Sequence, residues 1–97
     1  MSMSKQMIDR HSVRARDRKD RDLYARINGL LTSHEVRKIR KKLKLTQKDA
    51  ARICGGGPNA FSRYERGEAT PLRATSNLLR LMAKYPKEIQ YLLKFST

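Results

Sequence analysis

Apolar residues recur every three or four positions along most of this chain, which is the spacing of amphipathic α-helices. The pattern begins at Leu23, and no segment keeps the two-residue alternation of a half-buried strand. The sequence therefore predicts an all-α fold. The side chains that follow the helical spacing are Leu23, Ile27, Leu30, Val36, Ile39, Leu43, Ala50, Ile53, Cys54, Leu72, Leu78, Leu79, Leu81, Met82, Ile89, Leu92 and Leu93, of which those after Pro71 are candidate core.

Capping residues and helix-ending glycines divide the chain from Ser33 onward into five predicted helices. Ser33 is the expected cap of the first, and Thr46 with Asp49 forms a near capping box at the start of the second. Gly55 suits the left-handed backbone that ends a helix, and Pro58 suits a first helical position. The predicted helices span 33–43, 46–54 and 58–66, followed by one from Pro71 and one from Pro86.

The charge of the chain indicates a polyanionic partner. Its 97 residues include 23 Lys and Arg against 9 Asp and Glu, a net charge of +14 that attracts nucleic acid. A membrane is not expected, because no apolar run approaches the roughly 18 residues of a spanning helix. The charged N-terminus lacks the apolar core of a signal peptide, so the protein is expected in the cytoplasm. Cys54 is the single cysteine, with His11 and His34 as the histidines, so neither a metal nor another cofactor is expected.

The composition changes near Asp22, which predicts a basic arm over residues 1–22 and a domain over residues 23–97. The arm holds seven Lys or Arg and four Asp, and its run RHSVRARDRKDRD offers no usable apolar face. Such a segment is a flexible arm or a marginal helix. Two interpretations stay open for it: a basic arm that touches phosphates, and a solvated tail or linker.

The glycine run at residues 55–57 does not fit a nucleotide-binding loop. A P-loop needs G-x-x-x-x-G-K-[ST], whereas Pro58 and Asn59 follow Gly57, and the dinucleotide pattern G-x-G-x-x-G also fails. No strand is predicted before the run. The glycines instead separate two short helices, which is the shape of a helix-turn-helix.

The segment LTQKDAARICGGGPNAFSRYERG, residues 45–67, resembles the Xre/lambda-repressor type of helix-turn-helix. The common form of that group reads L-T-Q-x-x-L-A-x-x-L-G, then a turn, then a helix ending in R-Y-E-x-G, and the spacing matches without a gap. Within the group, GGGPNAFSRYERGEATP is similar to the C-terminal DNA-binding domain of MqsA-like antitoxins. The resemblance implies a five-helix, lambda-repressor-like domain that binds DNA.

The sequence departs from the family pattern in three places. MqsA-like antitoxins carry a zinc domain with two CxxC pairs that is not in this sequence, so toxin binding through zinc is not carried over. Gly56 stands where the group has an apolar residue, and Gly57 where it has a Ser or Thr cap. Gly57 removes bulk beside the amides of a helix N-terminus, which favour an anion. It either touches a DNA phosphate or only permits a tight turn.

The predicted helix after the glycines carries its polar residues on one side. Asn59, Ser62, Arg63 and Arg66 follow the i, i+3, i+4, i+7 spacing. Asn pairs two-pronged with adenine and Arg with guanine in the major groove, and the resemblance also implies base reading by Asn59 and Arg63. Ser62 and Arg66 are interpreted as phosphate or supporting contacts, with simple exposure as the alternative for Arg66. Phe61 is interpreted as core rather than as a stacking platform.

The residues around the preceding helix have supporting roles. The resemblance implies that Gln47 grips a phosphate and braces the recognition helix. It also implies an ion pair between Arg40 and Glu65, which would join the first and third predicted helices and orient the third. Further phosphate contacts are predicted for Lys44, Thr46 and Lys48.

These features predict a transcriptional repressor of the antitoxin type that binds double-stranded DNA at a specific sequence. One short recognition helix reads few bases, so a homodimer on a palindromic operator is expected. An alternative hypothesis is a stand-alone antitoxin whose basic arm neutralises an acidic toxin, with DNA binding secondary. No pattern indicates catalysis, so no enzyme is predicted. The candidate dimer surface, for which ordinary core is the alternative, consists of Ile89, Tyr91, Leu92, Leu93 and Phe95.

Overall fold

A computed structural model describes the backbone of residues 10–95 and the side chains of residues 18–95. Within this range the chain forms six α-helices, one 3₁₀ turn and no strand, so the predicted all-α fold is confirmed. Each described helix is too short or too polar to span a bilayer. The elements are α1 (Arg10–Asn28), α2 (Ser33–Lys42), α3 (Gln47–Cys54), α4 (Ala60–Glu65), α5 (Arg73–Lys84), the 3₁₀ turn (Pro86–Glu88) and α6 (Ile89–Leu93).

Helix α1 crosses the boundary that the sequence predicted at residue 22. The predicted arm ended at residue 22, whereas one helix runs from Arg10 through that position to Asn28 and adds a sixth helix to the five predicted. No Gly or Pro interrupts it, and its many Arg and Lys residues are good helix formers even without an apolar face. It ends at Gly29, whose φ of 72° lies in the left-handed region. Residues 1–9 lie outside the described part, and a functional division at residue 22 stays a prediction.

Thr32, and not the predicted Ser33, caps the N-terminus of α2. The Thr32 hydroxyl accepts the Glu35 amide at 3.3 Å, and the Glu35 carboxylate accepts the Thr32 amide at 2.9 Å. This reciprocal pair is a capping box, which requires Glu or Gln three residues after the cap; Val36 stands at that place for Ser33. The Ser33 amide and hydroxyl instead donate to the Asp22 carboxylate of α1.

The core lies among α2, α3, α4, α5 and α6. Val36, Phe61 and Leu79 are fully buried. Two predicted core residues were wrong, because Leu72 precedes α5 as its cap residue and Leu81 lies two positions from Leu79, on the other side of the helix. Both are more than half exposed. The other core members are Leu31, Leu45, Ala50, Ala51, Ala60, Met82 and Ile89, with Ile39, Leu43, Ile53, Cys54, Tyr64, Leu78, Leu92 and Leu93 partly buried around them.

Three consecutive glycines form the turn between α3 and α4. Gly55, Gly56 and Gly57 have φ angles of 84°, 95° and 91°, which other residues adopt only with strain. A side chain at Gly56 would also place its Cβ 3.1 Å from the Cβ of Ala60. The next two residues complete the turn, so α4 begins at Ala60 and not at the predicted Pro58.

Polar contacts fix α1 to the rest of the fold. The Arg21 guanidinium donates to the Gly67 carbonyl at 3.0 Å, shortly after the end of α4. Gly67 has a φ of 76° and lies beneath the Arg18 side chain, with which a Cβ at this position would collide. At the C-terminal end of α1, Arg73 donates to the Asn28 carbonyl at 3.0 Å. Helix α1 is thus attached to the end of α4 and to the start of α5.

We expect Thr32→Ala to lower the free energy of unfolding by about 0.5–2 kcal/mol, because it removes the acceptor for an amide at the start of α2. Thr32→Ser loses the same methyl group but keeps the hydroxyl, so the difference between the two variants isolates the cap. Urea unfolding followed by circular dichroism measures both. Equal midpoints for the two variants would show that the capping box contributes nothing.

Candidate nucleic-acid interface

Helix α4 presents two polar head groups side by side. The Asn59 carbonyl accepts the Arg63 amide at 3.1 Å, which places these residues one helical turn apart. Asn59 is the cap residue of α4 and not an internal residue, but the pair still shares one side. Both are exposed, and no hydrogen bond or ion pair engages either side chain within the described part of the chain. Their donors and acceptors are therefore available to an external ligand.

Ser62 and Arg66 continue this side of α4, but their side chains are engaged. Arg66 donates to the Ser62 hydroxyl and to both carboxylate oxygens of Glu68, the latter at 2.8 and 3.0 Å. The bond to Glu68 raises the pKa of the Arg66 guanidinium. A phosphate bound by Arg66 would therefore compete with Glu68 for the same cation.

The opposite side of α4 is anchored in the core. Phe61 is fully buried, and its ring meets the Tyr64 ring edge-on with 5.2 Å between centroids. Burial also raises the pKa of the Tyr64 hydroxyl. Phe61 is thus a core residue and not a platform for bases, and its burial turns Asn59 and Arg63 toward solvent.

One guanidinium connects the helices that position α4. Arg40 of α2 donates from Nε to Glu65 Oε2 at 2.6 Å and from Nη2 to Glu65 Oε1 at 3.0 Å. Its Nη1 donates to the Leu45 carbonyl at 2.8 Å. The side chains of Arg40 and Glu65 are only 13% and 5% exposed, so little water screens the pair. The bond to Glu65 raises the pKa of Arg40, which keeps the guanidinium charged.

Gln47 joins the same network from the first turn of α3. Its side-chain amide donates to Glu65 Oε1 at 3.2 Å. Because Glu65 is the last residue of α4, both α2 and α3 hold this end of the helix. The bond corresponds to the bracing role predicted for Gln47, whereas a phosphate contact by Gln47 stays a prediction.

Basic and polar residues surround the start of α3 and the glycine turn. Thr46 caps α3, and its hydroxyl accepts the Asp49 amide at 3.0 Å. Lys44, with a φ of 58°, and Lys48 are exposed on either side of this cap. Gly57 is exposed too, and a Cβ there would meet no atom within 4 Å. The space beside the turn is therefore open to a ligand.

Arg52 is a basic residue of this surface that sequence analysis missed. It lies one turn after Lys48, and the two line an open groove of about 310 Å³ beside Gly57 and Pro58. Its guanidinium pairs with Asp49 at 3.3 Å in an exposed contact. The four-residue spacing from Lys48 was the signal that could have identified it.

Two further kinds of chemistry were considered for this part of the structure: a reactive thiol and a metal site. Cys54 is partly buried at the end of α3, and burial raises the pKa of its thiol to about 11, so the thiol is protonated near neutral pH. Among the residues with described side chains, no three His, Cys, Asp or Glu residues form a group that could hold a metal ion.

These features define a class of protein: a small all-α domain in which two short helices meet at a glycine turn and the second helix exposes Asn59 and Arg63. Residues 3–92 match the sequence profile of a family described as the antitoxin component of a bacterial toxin–antitoxin system, MqsA. The chain belongs to this family, so the resemblance inferred from its sequence is confirmed.

A relative from Escherichia coli (strain K12) supports the same assignment. A segment of 50 residues is 60% identical to the protein named Antitoxin MqsA from that organism. The segment makes up 52% of this chain and 38% of the E. coli protein. This chain thus matches well under half of the length of that relative.

We expect Arg40→Ala to lower the free energy of unfolding by about 3–5 kcal/mol, because it leaves the Glu65 carboxylate buried without its cation. Arg52→Ala is the matched control: it also removes an Arg–carboxylate pair within a helical region, but an exposed one, and should cost no more than about 1 kcal/mol. Thermal and urea unfolding of both variants measure the difference. Similar losses at the two positions would mean that the Arg40–Glu65 pair is effectively solvated.

Proposed function

We propose that this protein is a transcriptional repressor of the antitoxin type, which acts in the cytoplasm and binds a specific sequence in double-stranded DNA. The observation that carries the proposal is the pair of unengaged head groups on α4. Asn59 and Arg63 are exposed one turn apart, and their donors and acceptors match adenine and guanine edges in the major groove. The net charge of +14 supplies the attraction to the DNA backbone.

Phosphate contacts position such a helix, and α3 and the glycine turn after it offer groups for them. Exposed amides at a helix N-terminus favour an anion, and Gly57 leaves the approach to the turn open. Lys48 and Arg52 border the same groove. The residues assigned to the phosphate backbone are Lys44, Thr46, Gln47, Lys48, Arg52, Gly57, Ser62 and Arg66.

A homodimer on a palindromic operator completes the proposal, since six helical residues in α4 read few bases. The C-terminal helices supply an apolar surface for it. Leu81, Tyr85, Tyr91 and Phe95 are at least half exposed, and Leu81 and Tyr85 line a cleft of about 350 Å³. Ile89, part of the surface expected from sequence, is 7% exposed and belongs to the core.

A second candidate function is neutralisation of a toxin. It is favoured by membership of a family described as antitoxin components. The two functions are compatible, because the residues assigned to DNA all lie between Lys44 and Arg66 and leave α1 free for a protein partner.

We expect DNA binding to depend strongly on salt and not on added metal. If a dimer neutralises about 6–10 phosphates, its affinity should fall by about 10³–10⁵ between 50 and 200 mM salt. Fluorescence anisotropy with a labelled duplex measures this, after selection of the preferred duplex from a random pool. A flat salt titration, or loss of binding in the presence of a chelator, would contradict the proposal.

We expect Asn59→Ala and Arg63→Ala each to cost about 1–3 kcal/mol on the selected duplex and to relax the choice of the base that the residue contacts. On scrambled DNA of equal length, Asn59→Ala should change little, because it removes no charge. Paired titrations on the two duplexes give the specificity ratio for each variant.

Two controls separate base reading from charge. Arg63→Lys keeps the cation but loses the two-pronged geometry, so it should retain non-specific affinity and lose selectivity. Lys44→Gln should weaken binding to all sequences alike and flatten the salt dependence. If Asn59→Ala and Arg63→Ala both kept the wild-type specificity ratio, α4 would not be the element that reads the bases.

A further inference from the structure

The chain just after α4 is fixed by a Schellman motif. The Glu68 amide donates to the Arg63 carbonyl at 2.9 Å, and the Gly67 amide donates to the Tyr64 carbonyl at 3.1 Å. Gly67, with a φ of 76°, is the left-handed residue that this motif requires. The motif ties the backbone of Glu68 to that of Arg63, so Glu68 has a fixed place at the C-terminal end of α4.

Glu68 holds the side chain of Arg66 together with Ser62, and these three residues are called the Arg66 clasp below. The Glu68 carboxylate accepts from Nε and Nη2 of Arg66 at 2.8 and 3.0 Å, while Nη1 donates to the Ser62 hydroxyl. All three nitrogens of the guanidinium thus donate to the protein. The side chains of Arg66 and Glu68 are nevertheless 57% and 48% exposed, so an external anion can reach the pair.

Helix stability does not explain a carboxylate at this place. The C-terminal end of a helix carries partial negative charge, which favours cations and disfavours anions. The other acidic residues within residues 44–68 are Asp49 and Glu65. Asp49 lies in the first turn of α3, where a carboxylate is favoured, and Glu65 is buried against Arg40. Glu68 is thus the acidic residue of this surface whose position calls for a different reason.

The position of Arg66 connects the clasp with DNA. Arg66 lies one turn after Arg63 on the same side of α4 and is assigned above to a phosphate contact. A guanidinium binds phosphate through charge-assisted hydrogen bonds from the same nitrogens that Glu68 and Ser62 now engage. While the clasp is closed, the opposite charges of Arg66 and Glu68 cancel, and the pair offers a phosphate little attraction.

We propose that Glu68 limits the affinity of this protein for DNA, because its carboxylate occupies the Arg66 guanidinium and a phosphate has to displace it. The inference rests on the DNA binding proposed above and adds a residue that opposes it. A chain with a net charge of +14 attracts nucleic acid of any sequence. Glu68 neutralises one cation at the edge of the recognition surface and leaves the side chains of Asn59 and Arg63 unchanged.

The test is fluorescence anisotropy of the full chain with the selected duplex and with scrambled DNA of equal length. Glu68→Gln removes the charge that holds Arg66, so it should raise the affinity for both duplexes about three- to tenfold at 50 mM salt. It should also steepen the slope of log affinity against log salt by about one for each protomer. The specificity ratio should stay within about twofold of wild type, because a phosphate contact carries no base information.

Two further variants separate the clasp from net charge. Asp20→Asn is the matched control, because it removes one negative charge from an exposed side chain of α1, to which no DNA contact is assigned, and it should change the affinity by less than about twofold. Arg66→Gln/Glu68→Gln should bind DNA no more tightly than Arg66→Gln alone, since neither has a guanidinium to release. Glu68→Gln should keep the wild-type thermal midpoint, because exposed ion pairs contribute little to stability.

The other outcomes overturn the inference and distinguish it from the proposed function. If wild type binds DNA and Glu68→Gln binds it no more tightly, Glu68 does not limit the affinity, although DNA binding stands. A gain equal to that of Asp20→Asn would assign the effect to net charge. A gain that persists in the Arg66→Gln background would assign it to direct repulsion between Glu68 and phosphate. If wild type binds neither duplex, the DNA-binding function fails, and this inference fails with it.

Discussion

The orientation of α4, and so the side on which Asn59 and Arg63 are exposed, depends on the guanidinium of Arg40. It donates to both oxygens of Glu65 and to the Leu45 carbonyl, while Gln47 reaches the same carboxylate from α3. A carboxylate as buried as that of Glu65 needs a cation and further hydrogen-bond donors beside it. Arg40 and Gln47 supply these donors and so hold the carboxylate in one position. A buried ion pair is weak evidence for net stability, because desolvation offsets its attraction. Its contribution here is to fix the C-terminal end of α4 against two other helices.

Helix α4 needs such external support because it is too short to be stable alone. Its six residues are far below the roughly 12–15 that a marginal isolated helix requires. Phe61 anchors one side in the core, Glu65 anchors the end, and Gly56 lacks the Cβ that would crowd Ala60. Asn59 and Arg63 are exposed because they lie on the side of α4 that none of these contacts covers. The two side chains are free to bind because every other part of the helix is held.

Features with local causes could be predicted from the sequence, and features set by long-range packing could not. The glycine turn and the burial of Phe61 follow from backbone conformation and helical spacing, and the partner of Arg40 followed from a family resemblance. The first part of α1 was predicted as a flexible arm or a marginal helix because its charged run lacks an apolar face, although Arg and Lys have high helix propensity. The exposure of Leu72 and of the apolar residues of α1 was not predicted, because their helical spacing was taken as a sign of burial in the domain. Helical spacing locates an apolar side but does not say whether the domain or another molecule covers it.

The hydrogen bond from Arg21 to the Gly67 carbonyl makes α1 a lever on the end of α4. A ligand that moved α1 outward would strain this bond. The strain would act on Gly67, just after the end of α4. Thermodynamic linkage makes any such effect reciprocal, so DNA on α4 would alter the affinity of a ligand on α1 by the same factor. A hydrogen bond from a charged group is worth about 1.5–3 kcal/mol, which caps the coupling through this contact at roughly 10- to 150-fold. A factor of this size would change the occupancy of one surface gradually as the supply of the other ligand changes.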